Sequence, residues 1–405
     1  MPDSQNPRVS VIVPTFNRAA FLPQAIDSAL AQGYDNLEIV VVDDGSTDGT
    51  RSVLEPYIDR IRYVYQENQG AAVARNTAIA ASSGEFIAFL DSDDIWLPGK
   101  LQIQMEVARL RPDIGMIASH AVTLDASGNA KSATPISPYQ REGIVSIETN
   151  ITQSPLPIDT LIVRRTYMPR DAPFRPGVQF FEDWEFCLRV AAQTQIWFVA
   201  QILAGVRSHG EQATALLASQ ERVEIKLQSR LRVLERVVPL LPGDKSRLLR
   251  FRSIAEAQGY AHASVATFVN CDHRLATSWL EKAIALDPDT WNAAEQLGEL
   301  VAHTAIVMEQ RRSEREAREF LGNVMKGLPP SFRHVYDLRS RIYGQFHAAL
   351  SFLRFDAGEF RRVMPHVFAG WAYRPRLLSN RGLWSIWVRS QSIGRRSTPR
   401  SNRVE

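Results

Sequence analysis

Apolar and polar positions alternate along the first 120 residues in blocks that predict strands and helices in turn. Val9-Ser10-Val11-Ile12-Val13 is a short β-branched run stopped by Pro14, whose ring fixes φ and removes a ladder donor. Phe21, Leu22, Ile26, Ala29 and Leu30 recur at helical spacing. A second apolar run, 37–42, ends at Asp43-Asp44-Gly45-Ser46, and a helix starting at Asp48 runs through Val53 and Leu54. Further strands are predicted over 61–65, 85–90 and 114–119, with helices over 71–81 and 101–110. Strands separated by single helices form parallel sheets with right-handed crossovers. Such sheets bind ligands beyond the carboxyl ends of their strands. The polar clusters at 14–18, 43–46 and 91–94 are therefore expected along one rim.

The pattern loosens between 120 and 210, where Pro135, Pro138, Gly143, Pro155, Pro157, Pro169, Pro173, Pro176 and Gly177 interrupt it. Short strands at 160–164 and 195–200 and a helix at 181–192 are expected there. From about 212 the spacing is helical. Residues 261–288 and 348–375 align without gaps at a fixed offset, and each reads as a helical hairpin ending at a proline. A tetratricopeptide-like pair and a plain helical bundle both fit this weak repeat. The expected organisation is an α/β domain over 1–211, a helical domain over 212–375 that offers a surface for oligomerisation, and a basic, partly disordered tail over 376–405.

A chain of 405 residues is long enough for two or three domains, and 45% hydrophobic with 22% charged residues is ordinary globular composition. The net charge of +3 is too small to argue for nucleic acid as a partner. Positive charge gathers at the end, where Arg376, Arg381, Arg389, Arg395, Arg396, Arg400 and Arg403 face Glu405 alone. That tail, with Leu383-Trp384-Ser385-Ile386-Trp387-Val388 inside it, reads either as a segment packed on the helical domain or as a peripheral contact with an anionic membrane. Cys187 and Cys271 are the only cysteines, so neither a disulfide framework nor a zinc spacing is present. With no apolar leader and no membrane-length apolar run, the expectation is a cytoplasmic protein, peripheral at most to the inner membrane face.

The chemistry concentrates where an apolar strand, 87–90, ends abruptly in Asp91-Ser92-Asp93-Asp94. Carboxylates delivered to one sheet edge are costly unless something neutralises them. A divalent cation holding a diphosphate would do so. An acidic helix cap is the plainer explanation, but a cap uses one carboxylate and here there are three.

Pro14-Thr15-Phe16-Asn17-Arg18, Val42-Asp43-Asp44-Gly45-Ser46, Asn68-Gln69-Gly70 with Ala74-Arg75-Asn76, Asp91-Ser92-Asp93-Asp94 and Glu182-Asp183-Trp184 follow one another in order. Together they resemble a family 2 glycosyltransferase of the GT-A fold, over roughly residues 8–210. The resemblance implies a Rossmann-like, mostly parallel sheet and inverting sugar transfer from a nucleotide-diphosphate sugar (UDP-, GDP- or dTDP-linked). The acceptor would be a hydroxyl of a glycan or a lipid-linked sugar, in polysaccharide or glycoconjugate synthesis. It implies that Pro14, Thr15, Asp44, Arg75 and Asp91 contact the donor. By the same resemblance Asp93, with Asp91 and His209, holds Mn2+ or Mg2+, and Asp183 is the base. Two other readings use the same residues. A nucleotidyltransferase would also cluster carboxylates, but it would want a glycine-rich loop after the first strand, and 14–18 has no glycine. A catalytically inactive nucleotide-sugar-binding or interaction protein would act through the helical half.

Overall fold

The computed structural model describes residues 6–136, 141–152, 156–208, 219–291, 294–328 and 336–386. The chain forms two compact units, Met1–Ala213 with Gln228–Ala255, and Thr214–Leu227 with Glu256–Glu405.

The first unit is built on one ten-stranded sheet. Its strands are β1 (Val9–Thr15), β2 (Leu37–Asp44), β3 (Arg62–Gln66), β4 (Phe86–Phe89), β5 (Ile95–Trp96), β6 (Ile114–Leu124), β7 (Ala130–Pro135), β8 (Gly143–Val145), β9 (Ile162–Arg164) and β10 (Gln195–Arg207). The order is β3-β2-β1-β4-β9-β6-β10-β5, with β7 beside β6 and β8 beside β10. The β3-β2-β1-β4 block is parallel, as the alternation predicts. Beyond it the sheet is mixed: β9 runs antiparallel to both β4 and β6. The 120–160 segment, expected to be irregular, contributes the antiparallel strands β7 and β8.

The helices of this unit are α1 (Leu22–Leu30), α2 (Thr50–Val53), α3 (Ala71–Ala80), α4 (Lys100–Leu110), α5 (Ile147–Thr152) and α6 (Glu182–Ala191). Side chains alternate across a strand, so β1 and β2 serve two cores. Ile12, Val40, Val42, Ile87 and Phe89 meet Ala74 and Ala78 of α3 and Phe186 and Val190 of α6. Val11, Val13, Ile39, Val41 and Ala88 meet Leu22 and Ile26 of α1 and Leu101 and Met105 of α4. Burial on both faces is why these strands read as continuous apolar runs.

The helices that follow are α7 (Gln220–Val237), α8 (Lys245–Val269), α9 (His273–Leu286), α10 (Pro288–Trp291), α11 (Ala294–Arg311), α12 (Glu314–Gly327), α13 (Tyr336–Asp356) and α14 (Phe360–Tyr373). Residues 228–255, from α7 and α8, belong to the first unit, although the expected domain boundary lay at 211. The reason is a second apolar stripe on α6. Trp184 and Leu188 are covered by Val233, Leu234, Val237, Val238, Leu241 and Leu248.

In the second unit the aligned repeats are helical hairpins, α8–α9 and α13–α14. Their turns place Cys271 (φ 64) and Gly358 (φ 73) at the same aligned position, both left-handed. Asp272 then caps α9 by accepting the Leu275 N–H at 3.0 Å. Near the end of the described chain, Leu383 and Ile386 are buried, Ile386 against Val363 and Val367, and Trp384 lies 4.8 Å from Trp371. This half of the apolar tail segment is packed; the rest of the basic tail, from 387, lies outside the described residues. Among the described residues, no helix is long and apolar enough to cross a membrane.

Gly84, just before β4, gives a direct packing test. Its N–H donates to Ser10 Oγ (2.7 Å) and Glu38 Oε1 (2.9 Å), and an added Cβ would lie 2.7 Å from the Ser10 backbone nitrogen. Backbone cannot swing aside as a side chain can. Gly84→Ala is expected to lower unfolding free energy by about 2 kcal/mol in urea denaturation. An unchanged midpoint would contradict the close approach.

Candidate active site

The polar clusters do share one rim, and hydrogen bonds stitch them together. Asn17, at φ 51, donates its N–H to Ser46 Oγ (2.9 Å) and accepts the Thr47 N–H at Oδ1 (2.8 Å). Asp43 accepts the Ser46 N–H (2.9 Å) and the Tyr63 hydroxyl (3.0 Å). Arg18 reaches across to the third cluster, its Nε donating to Asp93 Oδ2 at 3.3 Å. Thr15 is buried at the end of β1, and its Oγ1 has no hydrogen-bond partner among the described residues. Pro14 lies beside it in the same strand, paired in register with Val42.

Asp44 ends β2 and is nearly fully buried. Its carboxylate accepts the Gln66 side-chain amide (2.7 Å) and the backbone N–H groups of Gln69 (2.9 Å) and Gly70 (2.8 Å). These bonds fix the turn into α3, where Gly70 stands at φ 88. A carboxylate offers about four acceptor positions, so three are filled and about one remains for a ligand.

Arg75 follows one turn into α3 and is 5% exposed. It donates to Asp91 Oδ1 at 2.7 Å and pairs with Glu182 Oε1 at 3.6 Å, while its guanidinium lies 5.3 Å from the centre of the Phe174 ring. Burial alone would lower its pKa; the charges of Asp91, Glu182 and Asp183 outweigh that and hold it above its ordinary value. Asn76 supplies the platform. Its amide donates to the Phe174 carbonyl (2.6 Å) and accepts the Phe174 N–H (2.9 Å), seating the ring against Phe186 and Phe89.

The four-residue acidic turn sorts into two levels. Asp91 and Asp93 keep 30% and 18% of their side chains exposed at the rim. Asp94 is buried beneath them with Asp159, a residue the sequence reading did not single out. The carboxyl oxygens of Asp91, Asp94 and Asp159 lie within 4.8 Å of one another. Asp159 Oδ1 accepts the Asp91 N–H at 2.7 Å, and its side chain shares a hydrogen bond with Asp94. Burial, then neighbouring carboxylates, lift Asp159 to about 7 and Asp94 well above its usual range. The lower level is therefore a buried pair that shares a proton. Arg207 holds the turn from behind: its N–H donates to Asp94 Oδ1 (2.7 Å), its guanidinium to the Asp93 carbonyl (2.7 Å) and to Gln24. His209, expected nearby, lies outside the described residues.

Asp183 lies in the first turn of α6, and its Oδ1 accepts the Trp184 N–H at 2.7 Å. Burial is the main cause that lifts it to about 7, with the adjacent Glu182 charge next and Asp91 adding, against the opposing pull of the Trp184 N–H and Arg75. Phe180 and Phe181, immediately before α6, both stand in the left-handed region (φ 58 and 61). Two consecutive bulky residues there store strain, which accumulates where the backbone must aim a functional side chain.

The structure thus brings Arg75, Asp91, Glu182 and Asp183 together and places Asp93 beside them against Arg18. Asp44 supports the loop that starts α3. Asp159 and Arg207 were missed, and Asn76, though part of the Ala74-Arg75-Asn76 motif, was given no role. Asp159 had one faint sign, a lone acid between Ile158 and Leu161 in an apolar stretch.

Comparison with known proteins bears on the family and the fold. The family model described as Glycosyl transferase family 2 matches residues 10–160. The chain is 29% identical over 217 residues to an uncharacterised glycosyltransferase of Rickettsia prowazekii, covering 53% of this chain and 68% of that one. It is 48% identical over 101 residues to the UDP-Glc:alpha-D-GlcNAc-diphosphoundecaprenol beta-1,3-glucosyltransferase of Escherichia coli, which spans 24% of this chain and 40% of that enzyme. Among solved structures, S. aureus TarS 1-349 in complex with UDP-GlcNAc aligns with a TM-score of 0.56 at 17% identity, over 80% of this chain and 93% of that one, a likeness of fold alone.

The raised Asp183 makes a stability prediction. Its folded pKa of about 7 exceeds the ordinary 3.8, so the folded state binds the proton more tightly. That contribution is full below 3.8 and is lost as pH rises through about 7. Asp183→Asn mimics the neutral acid. Its melting temperature relative to the unsubstituted protein should therefore climb between pH 5 and pH 8 in calorimetry. A pH-independent difference would mean that Asp183 ionises freely.

Proposed function

This chain belongs to glycosyl transferase family 2 and is a glycosyltransferase, and from that premise we propose an inverting transfer of a sugar from a nucleotide-diphosphate donor to an acceptor hydroxyl, with Asp183 as the base. The observation that carries the reading is the placement of Arg75, whose buried guanidinium pairs with Asp91 on one side and with Glu182, next to Asp183, on the other. One side chain thereby links the acidic turn suited to a diphosphate with the residue suited to an acceptor.

Each residue then has a task. Pro14, Thr15 and the remaining acceptor position of Asp44 border the nucleoside. Asp91 faces the ribose and diphosphate side of the donor. Inversion by direct displacement needs one base on the face opposite the leaving group, much as on the base side of an inverting glycosidase. Asp183, with a pKa of about 7, is half ionised near neutrality and can take the proton of an acceptor hydroxyl. Glu182 holds Arg75 and orients the start of α6.

The donor set for a cation fits a hard divalent ion. Asp91 and Asp93 are the carboxylates that border the rim, and Mg2+ or Mn2+ is commonly held by one or two carboxylates together with substrate phosphates. The buried Asp94–Asp159 pair, with its shared proton, shapes the turn from below. When bound, such an ion offsets the charge gathered on the leaving diphosphate. The Escherichia coli relative, a UDP-Glc-dependent glucosyltransferase of a diphosphoundecaprenol-linked sugar, supports a nucleotide-sugar donor and a lipid-linked acceptor.

A panel of UDP-, GDP- and dTDP-sugars with Mn2+, read by thermal shift and then by donor hydrolysis, tests the proposal. One nucleotide series should raise the melting temperature by mass action. Asp93→Ala should abolish that shift and cut hydrolysis by about 100-fold. Asp183→Asn should keep donor binding and lower transfer by about 1000-fold. Failure of every nucleotide sugar to bind or react would sink the enzymatic reading.

A further inference from the structure

Within the first unit a cavity of about 110 Å³ lies between the 175–178 loop and one face of α7. Ser229, Arg232 and Arg236 recur at helical spacing and form one wall, while Arg175, Gly177 and Glu185 form the other. Glu185 is the sole acid among the lining residues, and its charge is already committed. It pairs with Arg175 at 3.0 Å and Arg189 at 3.4 Å, and Asp171 pairs with the same two arginines. Those two acids and two arginines balance. Arg232 and Arg236 do not: no ion pair joins either to a carboxylate among the described residues. Two like charges at i and i+4 repel along a helix. Facing a cavity, they form a positive wall matched to an anion that arginine can grip through paired N–H groups.

The cavity also sits on the chain segment that aims the base. Upstream of Arg175, Phe174 is clamped by Asn76 beneath Arg75. Downstream of Val178, the left-handed Phe180 and Phe181 lead straight into Glu182 and Asp183. The ends of this segment are thus fixed at the transfer site while its middle lines the cavity. We propose that the cavity is an anion subsite that takes a phosphate group carried by the acceptor, with Arg232 and Arg236 as its specificity-determining residues. This rests on the transferase reading above. The volume has room for a phosphoryl group with water around it.

Inorganic phosphate is the first probe. Titrated against the full chain, it should raise the melting temperature, and Arg232→Gln with Arg236→Gln should weaken its apparent affinity by about tenfold or more. Both positions are exposed on α7 and glutamine is a good helix former, so the double variant should keep its fold, checked by circular dichroism. An equal response in the double variant, or none in the unsubstituted protein, would overturn the subsite. The second arm compares a sugar 1-phosphate with the methyl glycoside of the same sugar as acceptors. A KM about tenfold lower for the phosphorylated acceptor, erased in the double variant, assigns the anion to the acceptor. Equal KM values in the unsubstituted protein would overturn that assignment. Donor hydrolysis by the unsubstituted protein reports separately on the transferase reading, so its failure would not be mistaken for failure of the subsite.

Discussion

A guanidinium taken out of water is tolerable only where carboxylates surround it, and the rim of this protein is organised around one such group. Arg75 is buried on α3 between Asp91, Glu182 and the Phe174 ring. Removing one partner of a buried pair costs more than the pair contributes, because an uncompensated charge is left behind. The surroundings are accordingly fixed. Asp44 sets the turn that starts α3, Asn76 clamps Phe174, and the left-handed Phe180 and Phe181 bring α6 to the guanidinium. The site is precise because its elements have little freedom to part.

The same logic separates carboxylates that look equivalent. Asp91 and Asp93 keep some exposure and face cations, Arg75 and Arg18. Asp94 and Asp159 lie below and share a hydrogen bond and a proton, so the pair carries one negative charge rather than two. Arg207 bonds to this turn through both backbone and side chain. A shared proton in the lower pair lets the turn gather four carboxyl groups with less mutual repulsion.

What was legible in the sequence follows from range. The strands β1, β2 and β4 and the helices α1, α3 and α4 were readable because burial on both sheet faces leaves continuous apolar runs between helical spacings. The turns of the second unit were readable through the repeat, which put Cys271 and Gly358 in register. Of the site, the residues in linear motifs emerged, including Arg75, Asp91 and Asp183, and the structure gathers them. The antiparallel course of β9, the Asp159 partner of Asp94 and the cover of Trp184 by 228–255 did not emerge, since each depends on contacts across tens of residues with no local periodicity. Arg207 was passed over for its neighbour His209, because a histidine suggests chemistry while a buried arginine reveals its work only through its partners.

The central claim is that Arg75 couples the donor side to the base by holding Asp183 partly ionised near neutrality. The most direct test is the pH dependence of kcat/KM for sugar transfer in Arg75→Gln beside the unsubstituted enzyme. Arg75 pulls the Asp183 pKa down against burial and Glu182. Its loss should move the rising limb of the profile from about 7 to higher pH, in addition to lowering the plateau. A plateau that falls while the limb stays in place would show that Arg75 and Asp183 act independently, and would contradict the account.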